Sequence, residues 1–293
     1  AAAFHGRPGM RVVVLYPDGR VSPRQAHQLG CFGGNVQALR VAGSFDDCQA
    51  LVKQALNDAQ LQAQVPLSSA NSISLGRLLP QMSYYAHAAL AHHAATGREL
   101  NFVVPTGNLG NALAAILART QGVPLGRIVL ATNANRVLPS YFDGGPYLPR
   151  ASLATLANAM DVGAPSNFER LRHWHESDDA LRAGFVARSV DDDTIRAVIR
   201  RAEQRHGTVP CPHTATGLKL LEDLRAGGDA RPWAVVATAH PAKFESIVEP
   251  LVGHAVTPPP ALAESLARPA EAFPLPDDYD ALRRELRRLH GLP

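Results

Sequence analysis

Residues 101–131 place a strand, a glycine turn, a helix and a second strand in one short stretch, an order that leaves the chain few architectures. Asn101-Phe-Val-Val104 is apolar, Pro105-Thr-Gly-Asn-Leu-Gly110 breaks it, Asn111 to Thr120 reads as helix, and Arg127-Ile-Val-Leu-Ala131 is apolar again. Two strands joined through a helix run parallel, and a parallel sheet is covered on both faces. The start of the chain repeats the alternation. Arg11-Val-Val-Val-Leu-Tyr16 fits a buried strand, Pro17-Asp18-Gly19 a turn, and Ser22-Pro23 a capped helix start. Val36–Val41 fits a second strand, and Ser44 or Asp46 opens a helix through Cys48-Gln-Ala-Leu-Val52. The fold class is therefore α/β, with open parallel sheets flanked by helices. Hydrophobic residues, 46% of 293, supply the core that this requires.

The rest of the chain is read more coarsely. Ile73 to His93 has the spacing of one long helix, and residues 141–168 form a connection rich in Gly, Pro, Asn and Ser. One helix is capped at Ser177, and another opens at Asp191-Asp192-Asp193 and stops at Gly207. Trp233 to Ala237 is the last clear strand; Thr257 to Pro276 is proline-rich, and an arginine-bearing helix ends the chain. Ala1-Ala-Ala-Phe-His-Gly6 reads as the last turn of a helix with its terminal glycine. No start of that helix and no initial Met are present, so an N-terminal truncation is expected.

Composition narrows the function classes. Lys+Arg 29 against Asp+Glu 26 gives a scattered net charge of +3, which argues against nucleic acid or an anionic membrane as partner. No apolar run reaches the roughly 18 residues of a membrane span. Cys31, Cys48 and Cys211 are odd in number and far apart, which suits a reducing, cytoplasmic setting. His92-His93 and His173-x-His175 lack companion ligands at metal spacings, so no metal is expected.

Four stretches could carry chemistry. In Thr106-Gly107-Asn108-Leu109-Gly110-Asn111, two glycines allow close approach to an anion and the following helix start supplies free N–H groups. The pattern is neither a Walker loop nor a dinucleotide fingerprint, and by itself it fits an ordinary strand-to-helix turn equally well. Asn71-Ser72-Ile73-Ser74-Leu75-Gly76-Arg77 offers an amide, hydroxyls and a guanidinium at a helix start, suited to phosphate or carboxylate. A plain helix cap with a surface arginine is its alternative. Cys211-Pro212-His213-Thr214-Ala215-Thr216-Gly217 places a hydroxyl cluster before a helix, again with capping as the alternative, and Thr238-Ala-His-Pro-Ala-Lys-Phe244 follows a strand at its carboxyl end, with a plain strand-to-helix turn as its alternative.

Taken in order, several segments make the chain resemble the threonine synthases of many bacteria and yeast. They are Leu15-Tyr-Pro-Asp-Gly-Arg-Val-Ser-Pro23, Gly33-Gly-Asn35, Phe45-Asp-Asp-Cys48, Asn71-Ser72 with Arg77, and Pro105-Thr-Gly-Asn-Leu-Gly110. Asn158-Ala-Met-Asp-Val162, Pro165-Ser-Asn-Phe-Glu-Arg170, Cys211-Pro-His-Thr214 and Ala239-His-Pro-Ala-Lys-Phe244 complete the set. The resemblance implies the tryptophan synthase β-like fold (fold type II), with pyridoxal 5′-phosphate between two α/β domains. Residues 1–70 would be the remainder of the smaller domain, 71–256 the larger cofactor-binding domain, and 257–293 a Pro-rich segment and C-terminal helix. It also implies the conversion of O-phospho-L-homoserine and water to L-threonine and phosphate.

By the same resemblance, Gly107, Asn108, Leu109, Gly110 and Asn111 hold the cofactor phosphate, and Thr214 faces the pyridine nitrogen. Asn71, Ser72 and Arg77 hold the substrate phosphate. The family often has Phe at the position of Leu109, Asp at that of Asn111, and Asn at that of Ser74. Its Schiff-base lysine stands in a Phe-Lys-Asp segment ahead of the matched region, followed by Ser-Gly-Asp-Thr-Gly, and neither occurs in these residues. That lysine is therefore expected upstream of residue 1, with no catalytic residue assigned within 1–293. Lys53 and Lys219 read as surface residues on helices, and the family has the counterpart of Lys243 in addition to the catalytic lysine. The rival reading is a non-catalytic phosphate-ligand-binding α/β protein derived from the same fold.

Overall fold

The computed structural model describes residues 1–292, in two units. Its strands are β1 Val12–Pro17, β2 Val36–Val41, β3 Leu100–Pro105, β4 Leu125–Thr132, β5 Val186–Ser189, β6 Trp233–Val235 and β7 Phe273–Leu275. One unit comprises Ala70–Pro241 and Ile247–His254. Its sheet has the order β5-β4-β3-β6 and every pair is parallel, with Val103 opposite Val129 on one side and Val235 on the other. Burial on both faces explains why Phe102–Pro105 of β3 and Ile128–Ala131 of β4 are apolar without alternation.

The Gly110–Thr120 helix buries Ala112, Leu113, Ala114, Ala115, Ile116 and Ala118. A fully buried Leu or Ile contributes about 1.5–3 kcal/mol, so this helix is held by its surroundings on nearly every face. The Pro212–Ala226 helix approaches the sheet at Gly217. A Cβ there would lie 2.7 Å from Val235 Cγ1 and 3.1 Å from Pro105 Cγ. That contact brings the helix against the carboxyl ends of β3 and β6, the pole where parallel sheets keep their ligand loops.

The other unit comprises Ala1–Ser69, Ala242–Ser246 and the chain from Ala255 onward, around a parallel sheet of order β1-β2-β7. Its helices start where their caps stand. Ser22 and Gln25 form a capping box before Pro23–Gly30, and Ser44 and Asp47 form one before Phe45–Asn57. Leu39, Val41, Leu51, Leu61, Leu275 and Leu282 make its core.

Several elements differ from the sequence reading. The single helix expected over Ile73–His93 is three pieces: Leu75–Leu78, a 3₁₀ turn Leu79–Gln81, and Met82–Thr96. Pro80 lies in the turn and lacks the N–H an α-helix needs. The Pro-rich stretch contains β7, which pairs with β2 from Leu39↔Phe273 to Val41↔Leu275. β5 has no counterpart among the expected strands, and the strand expected to reach Ala237 ends at Val235. At the start, where a last helical turn is expected, the chain forms a hydrogen-bonded turn with no helix: His5 donates its N–H to Ala1 O at 3.0 Å and Gly6 takes φ +72°. Among the described residues no helix is long and apolar enough to cross a membrane.

Candidate active site

β3 ends at Pro105, and Thr106 still donates its N–H to Ala131 O at 2.8 Å. The next bonded amide is that of Leu113, which donates to Leu109 O at 2.9 Å; from Asn108 to Ala112 no main-chain N–H has an acceptor among the described residues. Leu109 is the N-cap and contributes no side-chain bond. Asn108, Leu109, Gly110 and Ala112 are nevertheless buried. Buried donors without partners are costly and rare. A run of them at the head of an 11-residue helix is suited to an anion.

Both glycines of this loop provide clearance. A Cβ on Gly107 would lie 2.7 Å from Met160 Cα, and one on Gly110 would lie 2.9 Å from Ser72 Cβ. Leu109 is the only described residue other than glycine with a positive φ, at +62°, and it is fully buried. The side chain of Asn111 is occupied away from any ligand. Its Oδ1 accepts from the Tyr85 hydroxyl, and its Nδ2 donates to Gln81 Oε1 at 3.0 Å and to the Tyr84 hydroxyl. Only its main-chain N–H is available to the cradle.

The Asn71–Arg77 segment stands beside this loop. Asn108 Nδ2 donates to Ser72 Oγ at 2.7 Å, and Ile73 N–H donates to Asn71 Oδ1 at 2.9 Å, a local turn that sets the segment's shape. Arg77 is exposed, and among the described residues no carboxylate pairs with its guanidinium. The structure therefore brings Ser72 to the 106–111 loop through a direct bond and leaves the Arg77 charge unneutralised.

At the start of the Pro212–Ala226 helix a second polar cluster forms. Thr214 Oγ1 accepts the Thr238 N–H at 3.1 Å and lies 3.2 Å from Thr238 Oγ1 and 3.4 Å from Cys211 Sγ. Those three neighbours use the directions left by its Cβ. Thr238 Oγ1, also 3.3 Å from Cys211 Sγ, belongs to an exposed residue and keeps capacity for another partner. The sequence reading placed Thr238 at a strand end without a role. His213 Nε2 accepts the Ala159 N–H at 3.0 Å, so its ring proton sits on Nδ1, 3.9 Å from Cys211 Sγ.

Burial works against ionisation of Cys211, yet hydrogen bonds from His213, Thr214 and Thr238 outweigh it and draw the thiol down to about 6. Burial instead pushes Cys48 up to about 12. The difference in thiolate ultraviolet absorbance between wild type and Cys211→Ser is expected to rise with a midpoint near pH 6; a midpoint in the ordinary cysteine range overturns the assignment. Between about 6 and that range the native state has released a proton that the unfolded chain retains. The stabilisation from Cys211 accordingly grows with pH across this window and is lost as pH falls through about 6. In Cys211→Ser that slope in Tm disappears.

The connection after β4 contains a polar network that the sequence flagged only through its Gly, Pro, Asn and Ser content. Asp161 accepts from Asn133 Nδ2 at 2.7 Å, Thr155 Oγ1 at 2.7 Å and Thr155 N–H at 3.0 Å, while burial pushes its carboxyl up to about 6. Its neighbours Met160 and Val162 form the wall against Gly107. No group of three or more His, Cys, Asp or Glu among the described residues could hold a metal ion.

Comparison with known proteins bears on this arrangement. The family described as "Pyridoxal-phosphate dependent enzyme" matches residues 1–242, and "Threonine synthase, C-terminal" matches residues 214–285. The chain is 38% identical over 286 residues to a threonine synthase of Escherichia coli, covering 97% of this chain and 66% of that protein. It is 37% identical over 293 residues to one of Serratia marcescens, covering 100% and 67%. Among solved structures, the Escherichia coli threonine synthase superposes with a TM-score of 0.91 at 38% identity, covering 98% of this chain and 67% of that one. A PLP-bound threonine synthase of Brucella melitensis gives 0.83 at 34% identity, covering 99% and 67%. The chain spans about two thirds of the length of these relatives.

Proposed function

Since the chain belongs to the threonine synthase family of pyridoxal-phosphate-dependent enzymes, we propose that the intact protein converts O-phospho-L-homoserine and water to L-threonine and phosphate. The observation that carries this reading is the run of unpartnered amides from Asn108 to Ala112, all but that of Asn111 on buried residues, joined by a hydrogen bond to Ser72. It supplies two adjacent anion-binding segments, one for each phosphate the reaction requires. Pyridoxal phosphate fits the first, because its phosphate would satisfy N–H donors that have no other acceptor among the described residues. When bound, it supplies the electron sink for chemistry at the substrate's α and β carbons.

In this reading Gly107, Asn108, Leu109, Gly110 and Asn111 hold the cofactor phosphate through the main chain. Thr214 and Thr238 form the hydroxyl pair toward the pyridine nitrogen, with Thr238 the more open of the two. A neutral hydroxyl there does not hold that nitrogen protonated, which moderates electron withdrawal. Asn71, Ser72 and Arg77 receive the substrate phosphate and stabilise it as a leaving group. No lysine among residues 1–293 is assigned to carry the cofactor in this reading: Lys53 is exposed on its helix, Lys219 is paired with Asp223, and the family has the counterpart of Lys243 in addition to its Schiff-base lysine. The setting is the cytosol, which the free, buried Cys31, Cys48 and Cys211 suit.

Arg77→Ala in the intact enzyme tests the assignment of the two segments. Cofactor content by absorbance should be unchanged, while kcat/KM for O-phosphohomoserine falls roughly ten- to a hundredfold, the worth of a charge-assisted contact. Arg77→Lys should recover only part, because it keeps the charge without the planar fork. Loss of cofactor with substrate affinity intact would mean that the two phosphates had been exchanged.

A further inference from the structure

Asn167 is fully buried between the two anion-binding segments. Its one amide group bridges them: Nδ2 donates to Asn108 O at 2.9 Å and to Ser72 O at 3.0 Å. Its Oδ1 accepts from Arg170 Nη1 at 2.6 Å. The same guanidinium donates from Nη2 to Ile73 O at 2.6 Å and reaches Ser72 O at 3.4 Å. Asn108 closes the circuit, with Nδ2 on Ser72 Oγ at 2.7 Å and Oδ1 accepting the Ser166 N–H at 2.6 Å.

The two segments depend on this circuit unequally. The 106–112 loop is anchored at one end by β3 and at the other by the Gly110–Thr120 helix. Within residues 71–74 the local bonds are short turns, Ile73 N–H to Asn71 Oδ1 at 2.9 Å and Ser74 N–H to Asn71 O at 3.1 Å. The long-range bonds at Ser72 and Ile73 tie them to the 106–112 loop and to Asn167 and Arg170. Because Ser72 Oγ accepts from Asn108, its own hydrogen is left for another acceptor.

We propose that Asn167, oriented by Arg170, is a positioning residue that fixes the Asn71–Ser72 segment against the cofactor-phosphate loop and thereby sets the protein's affinity for the substrate's phosphate group. This rests on the reading of Asn71, Ser72 and Arg77 given above. A displacement of about 1 Å in a positioned donor can cost about a hundredfold in its effect, and Asn167 governs two segments with one planar group.

The test is the binding of inorganic phosphate to the intact protein already loaded with pyridoxal phosphate, so that the cofactor's own site is filled. Asn167→Asp keeps the shape and removes both N–H donors. It should weaken phosphate roughly ten- to a hundredfold, with KM for O-phosphohomoserine rising in step. Cofactor affinity should change less than phosphate affinity. Arg170→Lys keeps the charge, loses the fork and should give a smaller loss of the same kind; if Asn167→Asp does not fold, Arg170→Lys decides by the same measurement. A lower Tm with undiminished phosphate binding in the folded protein would make these residues structural only and overturn the proposal. Arg77→Ala separates the two levels. If it too leaves phosphate binding intact, the site reading has failed; if it weakens phosphate while both other variants do not, the positioning role alone has failed.

Discussion

Gly107→Ala is expected to strip the intact enzyme of its cofactor while leaving the fold in place. The added Cβ would lie 2.7 Å from Met160 Cα, 3.1 Å from Met160 O and 3.1 Å from Val162 Cγ2. Two of these are backbone atoms, and the Asp161 network between Met160 and Val162 prevents that wall from receding. The 106–112 loop must move instead, and its amides then no longer converge. Losing the equivalent of two hydrogen bonds to a charged group, at about 1.5–3 kcal/mol each, weakens pyridoxal phosphate by at least about a hundredfold. Cofactor titration followed by absorbance measures it. A dissociation constant within about threefold of wild type would show that the loop does not need its present geometry.

Gly163→Ala should act on stability more than on binding. A Cβ there would lie 1.7 Å from Arg150 O and 2.9 Å from Arg150 C, and Arg150 is held in place by donating its own N–H to Gly163 O at 2.9 Å. Neither side of this main-chain contact can relieve it by rotating a side chain away. Overpacking of ordinary severity costs about 1–3 kcal/mol, and a main-chain collision of this depth should reach at least the upper end, lowering Tm by about 6–12 °C. Limited proteolysis should find new cuts between residues 146 and 163 before any in β3 or β4. A variant with wild-type Tm and cleavage pattern would refute this account.

How far the sequence disclosed the molecule depended on the range of the interactions involved. β1, β3 and β4 were legible from the unbroken apolar runs Val12–Leu15, Phe102–Val104 and Ile128–Ala131, and β2 from a short apolar stretch interrupted by Gln37 and Arg40. β5 and β7 were not, having 4 and 3 residues, too few to show a period. The loop of unbonded amides after β3 was legible as two glycines before a helix. The fate of Asn111 was not, since its side chain is claimed by Tyr84 and Tyr85 from a helix that only packing brings near. Asn167 gave no signal as a bridge because its partners lie 59 and 95 residues away. Thr238 stood at a recognisable strand end, but its pairing with Thr214 depends on how the Pro212–Ala226 helix meets the sheet at Gly217.

The left-handed backbone at Leu109 bears on how the cradle can change over generations. Glycine would relieve the backbone there by about 1–2 kcal/mol but would vacate a fully buried site, at a cost of about 2–5 kcal/mol. Alanine relieves nothing and vacates most of the same space, and β-branched residues are least tolerant of positive φ. The substitution paths open to this position therefore run among large side chains not branched at Cβ, aliphatic or aromatic. Hydrophobic volume, where loops elsewhere in the chain use glycine for positive φ, is what heredity must preserve at this turn.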